Sequence, residues 1–137
     1  MTSPTLALRA GILQRCRADP TLAALMGGTV RLHDEPPRAA VPVYALFAES
    51  ELRDWSTSSD RGHEHLVTIA VWAAPGSAAS ALAVGDRLAA LLDDAPLALL
   101  GHRLVHIAVT ALESGRDTAT GLARIGVRLR AVTEVEA

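Results

Sequence analysis

The chain has 137 residues, close to the modal size of one domain, and this length predicts a single domain over residues 1–137. Half of the residues are apolar and 20% are charged, which is typical of a folded globular protein. The net charge of −2 gives no overall basic footprint for nucleic acid, and two Trp, one Tyr and one Phe are too few for a base-stacking platform. The single cysteine, Cys16, excludes an intrachain disulfide and a cysteine-based zinc site, and it favours a reducing, intracellular compartment.

The first part of the chain predicts two helices. Ser3 or Thr5 can cap the first helix, and Asp19 with Pro20 suits the cap and first position of a second, short one. Gly27-Gly28 ends that second helix. The apolar stripe predicted for the first helix consists of Leu6, Ala10, Leu13 and Arg17, widened by Leu8 and Ile12.

Three strands are predicted next. Residues 29–32 form a short strand, residues 33–40 a loop with two prolines, and residues 41–48 a second strand. Residues 49–62 are polar and predict a strand extension at 52–55 followed by a mobile loop. Residues 63–73 alternate most clearly of all and predict the third strand.

The second half predicts one helix and a hairpin. The helix extends to about Asp94, with a stripe of Ala81, Val84, Gly85, Leu88, Leu91 and Leu92. Residues 103–113 place Val105, Ile107, Val109 and Ala111 on one face, and residues 122–132 place Ile125, Val127, Leu129 and Ala131 on one face. The order is α-α-β-β-β-α-β-β. It predicts an α+β fold in which helices pack on one face of a largely antiparallel sheet.

A histidine pair on the third strand allows an enzymatic interpretation. His63 and His65 share a strand face and could chelate a metal, but no further ligand stands at a suitable spacing. Ser56, Ser58 and Ser59 beside Asp60 and His63 contain the letters of a nucleophilic triad without a nucleophile elbow. A small metal-dependent or hydrolytic enzyme using His63, His65 and Asp60 therefore stays an alternative. A polar strand end beside a loop is the simpler interpretation.

Three arginines lie on the polar side of the last strand. Arg124, Arg128 and Arg130 alternate with its apolar residues and concentrate positive charge on a mildly acidic chain. They form a solvated face, a contact between subunits or a surface for a polyanion. A nucleic-acid-binding module using these arginines is a second alternative, which the net charge of −2 disfavours.

The chain resembles a known family at Arg53-Asp54-Trp55-Ser56-Thr57 and the following stretch up to Val71-Trp72. Weaker matches are Leu25-Met26-Gly27, Pro42-Val43-Tyr44 and Gly101-His102-Arg103-Leu104. The family comprises the tail-completion or tail-terminator proteins of tailed phages, prophages and gene transfer agents. The resemblance covers nearly the whole chain. The turn at 114–119 is shorter than in longer family members.

The resemblance implies a structural virion protein, made in the bacterial cytoplasm and located in the tail at the head–tail interface. It implies an α+β subunit that forms a ring, commonly a hexamer, which caps the tail tube and stops its growth. That ring joins the tube to the head-side connector or stopper, and DNA passes through its lumen without sequence-specific binding. The family implies no catalytic residues, no cofactor, no metal and no membrane.

A set of six residues is the predicted subunit interface. Trp55 is notable because an aromatic side chain in a Ser-rich segment either anchors the segment to its own core or contacts a neighbour, and we expect the second. The predicted interface residues are Arg53, Asp54, Trp55, Arg124, Arg128 and Arg130.

Overall fold

The computed structural model describes residues 3–35 and 42–136 and has the predicted order of elements. The helices are α1 (Pro4–Arg17), α2 (Pro20–Leu25) and α3 (Ala78–Leu92). The strands are β1 (Leu32–His33), β2 (Tyr44–Asp54), β3 (Gly62–Trp72), β4 (His102–Arg116) and β5 (Ala123–Val135). The predicted α+β class is confirmed. Most of the predicted loop at 33–40 lies outside the described residues.

The strands form one sheet in the order β1-β2-β3-β5-β4. Only β1 and β2 are parallel, and the other three pairs are antiparallel. Strand β5 lies between β3 and β4, so it has strand neighbours on both sides, and the residues on its inner face are buried. The long β2–β3 and β4–β5 hairpins therefore set the register of almost the whole sheet.

The helices begin where the sequence predicts and cover one face of the sheet. The Ser3 Oγ accepts a hydrogen bond from the Leu6 N–H at 3.3 Å, and the Asp19 Oδ2 accepts one from the Leu22 N–H at 2.8 Å. The predicted stripe of α1 is wrong in part, because Leu6, Ala10 and Arg17 are exposed. The buried residues of α1 are Ala7, Leu8, Gly11, Ile12 and Cys16.

Helix α3 packs directly on the sheet, and the predicted stripe is confirmed. Its buried residues are Ala81, Val84, Gly85, Leu88, Leu91 and Leu92. A Cβ added at Gly85 would lie 2.8 Å from the Ile125 Cγ2, so only glycine allows this approach. The helix axis can therefore come close to β5, with which α3 makes more contacts than with any other strand.

The alternation predicted for residues 103–113 is wrong at Val105. The register of β4 against β5 shifts between Leu104 and His106, so the ladder skips Val105 and exposes 50% of it. Leu104 packs against the core in its place, and Ile107 is 1% exposed as predicted. A bulge of this kind inserts one extra residue into the strand, so the residues before it point to the opposite face from the one that regular alternation predicts.

The strand extension predicted at 52–55 is part of strand β2, and residues 49–51 belong to the strand as well. The strand continues without interruption to Asp54, beyond the region that the helices cover, and its residues from 48 onward are exposed. The short loop that follows is held by its own hydrogen bonds. The Thr57 N–H donates to the Asp60 C=O at 2.9 Å, and the Asp60 N–H donates to the Thr57 Oγ1 at 3.1 Å.

Two alanine substitutions on one strand test the bulge in β4. Ile107→Ala removes a fully buried side chain, and we expect it to lower the free energy of unfolding by about 2–5 kcal/mol. Val105→Ala removes an exposed side chain and should change it by less than about 0.5 kcal/mol. Urea unfolding of both variants measures the difference. Equal losses would contradict the placement of Val105.

Candidate interaction surface

The side of the sheet that faces away from the helices is here called the outer face. The register places Leu66, Thr68 and Trp72 of β3 on it, opposite the three arginines of β5. Polar and apolar side chains alternate along the face instead of forming one apolar patch. A surface of this composition is suited to a specific contact with another protein, because ion pairs set the orientation while the apolar groups are buried.

A nearly buried carboxylate organises one end of the outer face. Glu64 is only 7% exposed, and its Oε2 accepts a hydrogen bond from the Arg130 Nε at 2.6 Å. The Arg53 Nη1 lies 3.9 Å from the other carboxylate oxygen. The register explains both contacts: Arg53 is the direct cross-strand partner of Glu64, and Arg130 is its diagonal neighbour on β5.

Trp55 lies on top of this ion-pair group. The guanidinium carbon of Arg130 is 5.3 Å from the centroid of the Trp55 ring. The backbone N–H of Trp55 donates to the Gly62 C=O at 2.9 Å, and this bond fixes the backbone at the end of the hairpin. The side chain is 52% exposed and is not part of the hydrophobic core. Trp55 is therefore an aromatic side chain held in place by an arginine and presented to solvent.

The other two arginines also have partners within the chain. The Arg128 Nε lies 3.1 Å from the Glu113 Oε1, and both side chains are 56% exposed. The guanidinium carbon of Arg124 lies 5.6 Å from the centroid of the Trp72 ring, its direct cross-strand partner. The Arg128 pair is exposed and exchangeable, whereas the Arg130 pair is tied to a buried carboxylate.

The structure brings three of the six predicted interface residues together: Arg53, Trp55 and Arg130. Arg124 and Arg128 continue along the same face. Asp54 differs, because it alternates to the opposite face and accepts hydrogen bonds from the Ser56 N–H at 3.2 Å and Oγ at 2.6 Å. These bonds hold the pKa of Asp54 below its usual value, so it stays charged.

Sequence analysis missed the acidic partners, Glu64 and Glu113, on this surface. Glu64 is 66 residues away from Arg130 in the chain, so no local pattern joins them. A correct β3–β5 register would have found the contact, because it places residues of opposite charge diagonally on one face. The alternation of β3 and β5 was visible in the sequence. The register between two strands that are far apart in the chain was not.

The histidine pair does not assemble a metal centre among the described residues, where no group of three His, Cys, Asp or Glu side chains could hold an ion. His65 is buried, and its Nε2 lies 2.8 Å from the Thr133 Oγ1 on the neighbouring strand. Burial, together with smaller contributions from the nearby His63 and His102, lowers the pKa of His65 to about 4. The His65 side chain is therefore a neutral packing group between β3 and β5.

The serines of the loop are bonded to acidic groups and backbone. The Ser56 Oγ donates to the Asp54 Oδ1 and accepts from the Gly62 N–H at 3.2 Å. The Ser59 Oγ donates to the Asp60 Oδ2 at 3.2 Å. These bonds shape the turn between β2 and β3 and do not place a serine on His63.

Comparison with known proteins shows similarity to one protein family and to solved structures. The model of the family described as "Tail completion protein gp17" matches residues 10–134. A chain of a solved structure, "Virion of native gene transfer agent (GTA) particle", is 29% identical with a TM-score of 0.87, covering 98% of this chain and 99% of that chain. No curated protein matches. No helix among residues 3–35 and 42–136 is long and apolar enough to cross a membrane.

The buried His65 predicts a specific dependence of stability on pH. Its pKa is 6.5 in the unfolded chain and about 4 in the folded one, so between these values only the unfolded chain binds the proton. The contribution of neutral His65 is complete above pH 6.5 and is lost as the pH falls towards 4, by up to about 3 kcal/mol. His65→Gln should flatten the fall in melting temperature over this range. The same change at the exposed His106 is the control, and an equal slope in wild type and His65→Gln would contradict the prediction.

Proposed function

Because the chain belongs to the tail completion protein gp17 family and is a structural protein of the virion tail, we propose that it is the tail terminator. In this proposal its subunits form a ring, commonly hexameric, at the head-proximal end of the tail tube. The ring stops tube polymerisation and joins the tail to the connector or stopper on the head side. The partners are further copies of the chain, the tail tube protein and the head-side protein.

The observation that carries the proposal is correspondence over the whole chain. The similarity to the gene transfer agent chain covers 98% of this chain and 99% of that chain, so almost no residues are unmatched on either side. A subunit without insertions offers the same surfaces for assembly. The proposed role is assembly without catalysis, which accords with serines and histidines that are engaged in local structure.

The outer face supports contacts with neighbouring proteins, and its residues differ in role. Arg130 contacts both the Glu64 carboxylate and the Trp55 ring within the subunit, whereas the Arg53 Nε donates to the Glu51 Oε1 at 2.9 Å and its Nη1 lies 3.9 Å from Glu64. Arg128 is exposed and can exchange Glu113 for a carboxylate of a neighbour at little cost, since an exposed pair contributes about 0–1 kcal/mol. Trp55 offers the largest apolar area that a partner could bury. In a ring, each small contribution recurs at every interface.

The charge pattern also accords with a passage for DNA. Each of two arginines on the outer face has a carboxylate beside it, so the face is not strongly basic. A strongly basic lumen would bind phosphates and retard DNA, since each neutralised phosphate strengthens binding at low salt. We propose that DNA passes through the ring without sequence-specific binding.

The mass of the assembled protein tests the ring. Mass photometry of the purified chain, alone and with tail tubes, should give a closed oligomer or a ring that forms on the tube end. Trp55→Ala with Arg128→Gln should leave the subunit folded and raise the concentration needed for assembly about tenfold, from about 1.4 kcal/mol lost at each interface.

A matched control is Arg17→Gln, which removes an exposed arginine at the end of α1 on the helix side. It should assemble like wild type. The Arg130 pair is not tested by a single change, because Arg130→Gln would remove the close partner of the buried Glu64 carboxylate and leave only Arg53 at 3.9 Å. A chain that stays monomeric and never binds tail tubes would overturn the proposed ring.

A further inference from the structure

The sheet has two edges, and residues 3–35 and 42–136 cover only part of each. On β4, the Asp94 N–H donates to the Ile107 C=O at 2.9 Å, and the Val109 N–H donates to the Asp93 Oδ1 at 2.9 Å. The two residues after α3 therefore protect the first half of this edge. On the other side, β1 pairs only with Ala45 and Leu46 of β2. Natural proteins protect exposed edges in this way against unwanted pairing.

The second half of the β4 edge is open among the described residues. The Asp117 N–H donates to the Leu122 C=O at 2.9 Å, so by the antiparallel alternation residues 115, 113 and 111 direct their backbone groups towards β5. Leu112, Ser114 and Arg116 consequently direct theirs away from the sheet. No backbone bond within the part of the chain that the structure describes reaches these outward groups.

The second half of β2 is open in the same way. The Trp55 N–H donates to the Gly62 C=O, so residues 53, 51 and 49 direct their backbone groups towards β3. Ser50, Leu52 and Asp54 direct theirs outward, and in residues 3–35 and 42–136 no backbone group bonds to them there. Each edge thus presents a short row of donors and acceptors that pairs readily with another strand.

The two open rows match each other in side chains. Each contains one leucine, one serine and one charged residue, and the charges are opposite: Asp54 on β2 and Arg116 on β4. Leu52 and Leu112 are both 41% exposed, and both alternate to the helix side of the sheet. An antiparallel pairing of the two rows places Leu52 opposite Ser114 and Leu112 opposite Asp54, so the leucines are diagonal neighbours on one side of the joined sheet. The pairing satisfies backbone groups of both strands.

We infer that the open edge of β2, at Ser50, Leu52 and Asp54, pairs with the open edge of β4, at Leu112, Ser114 and Arg116, of a second copy of this chain. The contact uses the β2 edge of one copy and the β4 edge of the other, so each subunit keeps one edge for the next neighbour. Further subunits can therefore be added in the same way until the ring closes. The inference rests on the proposed ring and assigns the surface through which the subunits join.

The diagonal placement of the open rows supports closure. Within one subunit, Leu52, His65, Ala131 and Ile107 are successive cross-strand partners, so Leu52 and Ile107 lie in one row across the sheet. Leu112 lies five residues further along β4. The second copy must therefore shift along the strand direction by several residues. A sheet that closes on itself requires such a stagger, because its strands are tilted relative to the ring axis.

Cysteine cross-linking in the assembled protein tests the pairing. Leu52→Cys combined with Leu112→Cys, or with Ser114→Cys, should form a ladder of disulfide-linked multimers under mild oxidation, while the buried Cys16 stays unreacted. The matched control is Leu52→Cys with Val105→Cys, an equally exposed position near which Leu52 would lie without the stagger. We expect it to cross-link at least about tenfold more slowly, as the effective concentration of its thiols is lower.

A second variant tests the backbone contact without new thiols. Ser114→Pro removes an outward N–H on an edge strand, where proline is tolerated. It should keep the melting temperature within a few degrees and abolish assembly, whereas Leu100→Pro, outside the edge, should assemble. Two results would overturn the edge pairing but not the proposed ring. One is oligomers in which neither Leu52→Cys with Leu112→Cys nor Leu52→Cys with Ser114→Cys gives a ladder, and the other is a ladder from the Val105→Cys pair alone. A folded Ser114→Pro variant that assembles normally would overturn the edge pairing as well, whereas a wild-type chain without any oligomer would overturn the ring itself.

Discussion

The close approach of α3 to the inner face of the sheet is the constraint on which the rest of the structure depends. Gly85 lies where any side chain would meet Ile125, so the helix can seat its whole apolar stripe on β5 and β4. The helices α1, α2 and α3 lie on this face, and among residues 3–35 and 42–136 no helix covers the outer face. A one-sided sheet must make its outer face and edges compatible with water or use them in contacts.

The uncovered parts of the sheet differ from the covered part in how they are stabilised. The core consists of aliphatic side chains from both layers. On the outer face, ion pairs and aromatic stacking take over, with the Glu64 carboxylate between two arginines and Trp55 against one of them. Charged pairs of this kind contribute modestly to stability but fix geometry. They give the end of the β2–β3 hairpin a defined shape before it meets a partner.

The sequence predicted the fold wherever one periodicity dominated. The α3 stripe and the alternation of β5 were correct, because apolar residues there occupy one face only. In α1, apolar residues occupy several sides of the helix, so the pattern could not distinguish exposed Leu6 from buried Leu8. In β4, the bulge at Val105 has no sequence marker. The contacts of the outer face required the register of strands far apart in the chain, which no local pattern contains.

The central claim, that this subunit ends the tail tube, is tested most directly by the length of tubes polymerised from purified tail tube protein. Electron microscopy of tubes grown with and without the chain measures that length. The account predicts that the chain, added in excess over tube ends, halts growth and leaves a ring at one end of each tube. Tubes that grow equally long in its presence, with no density added at either end, would contradict the account.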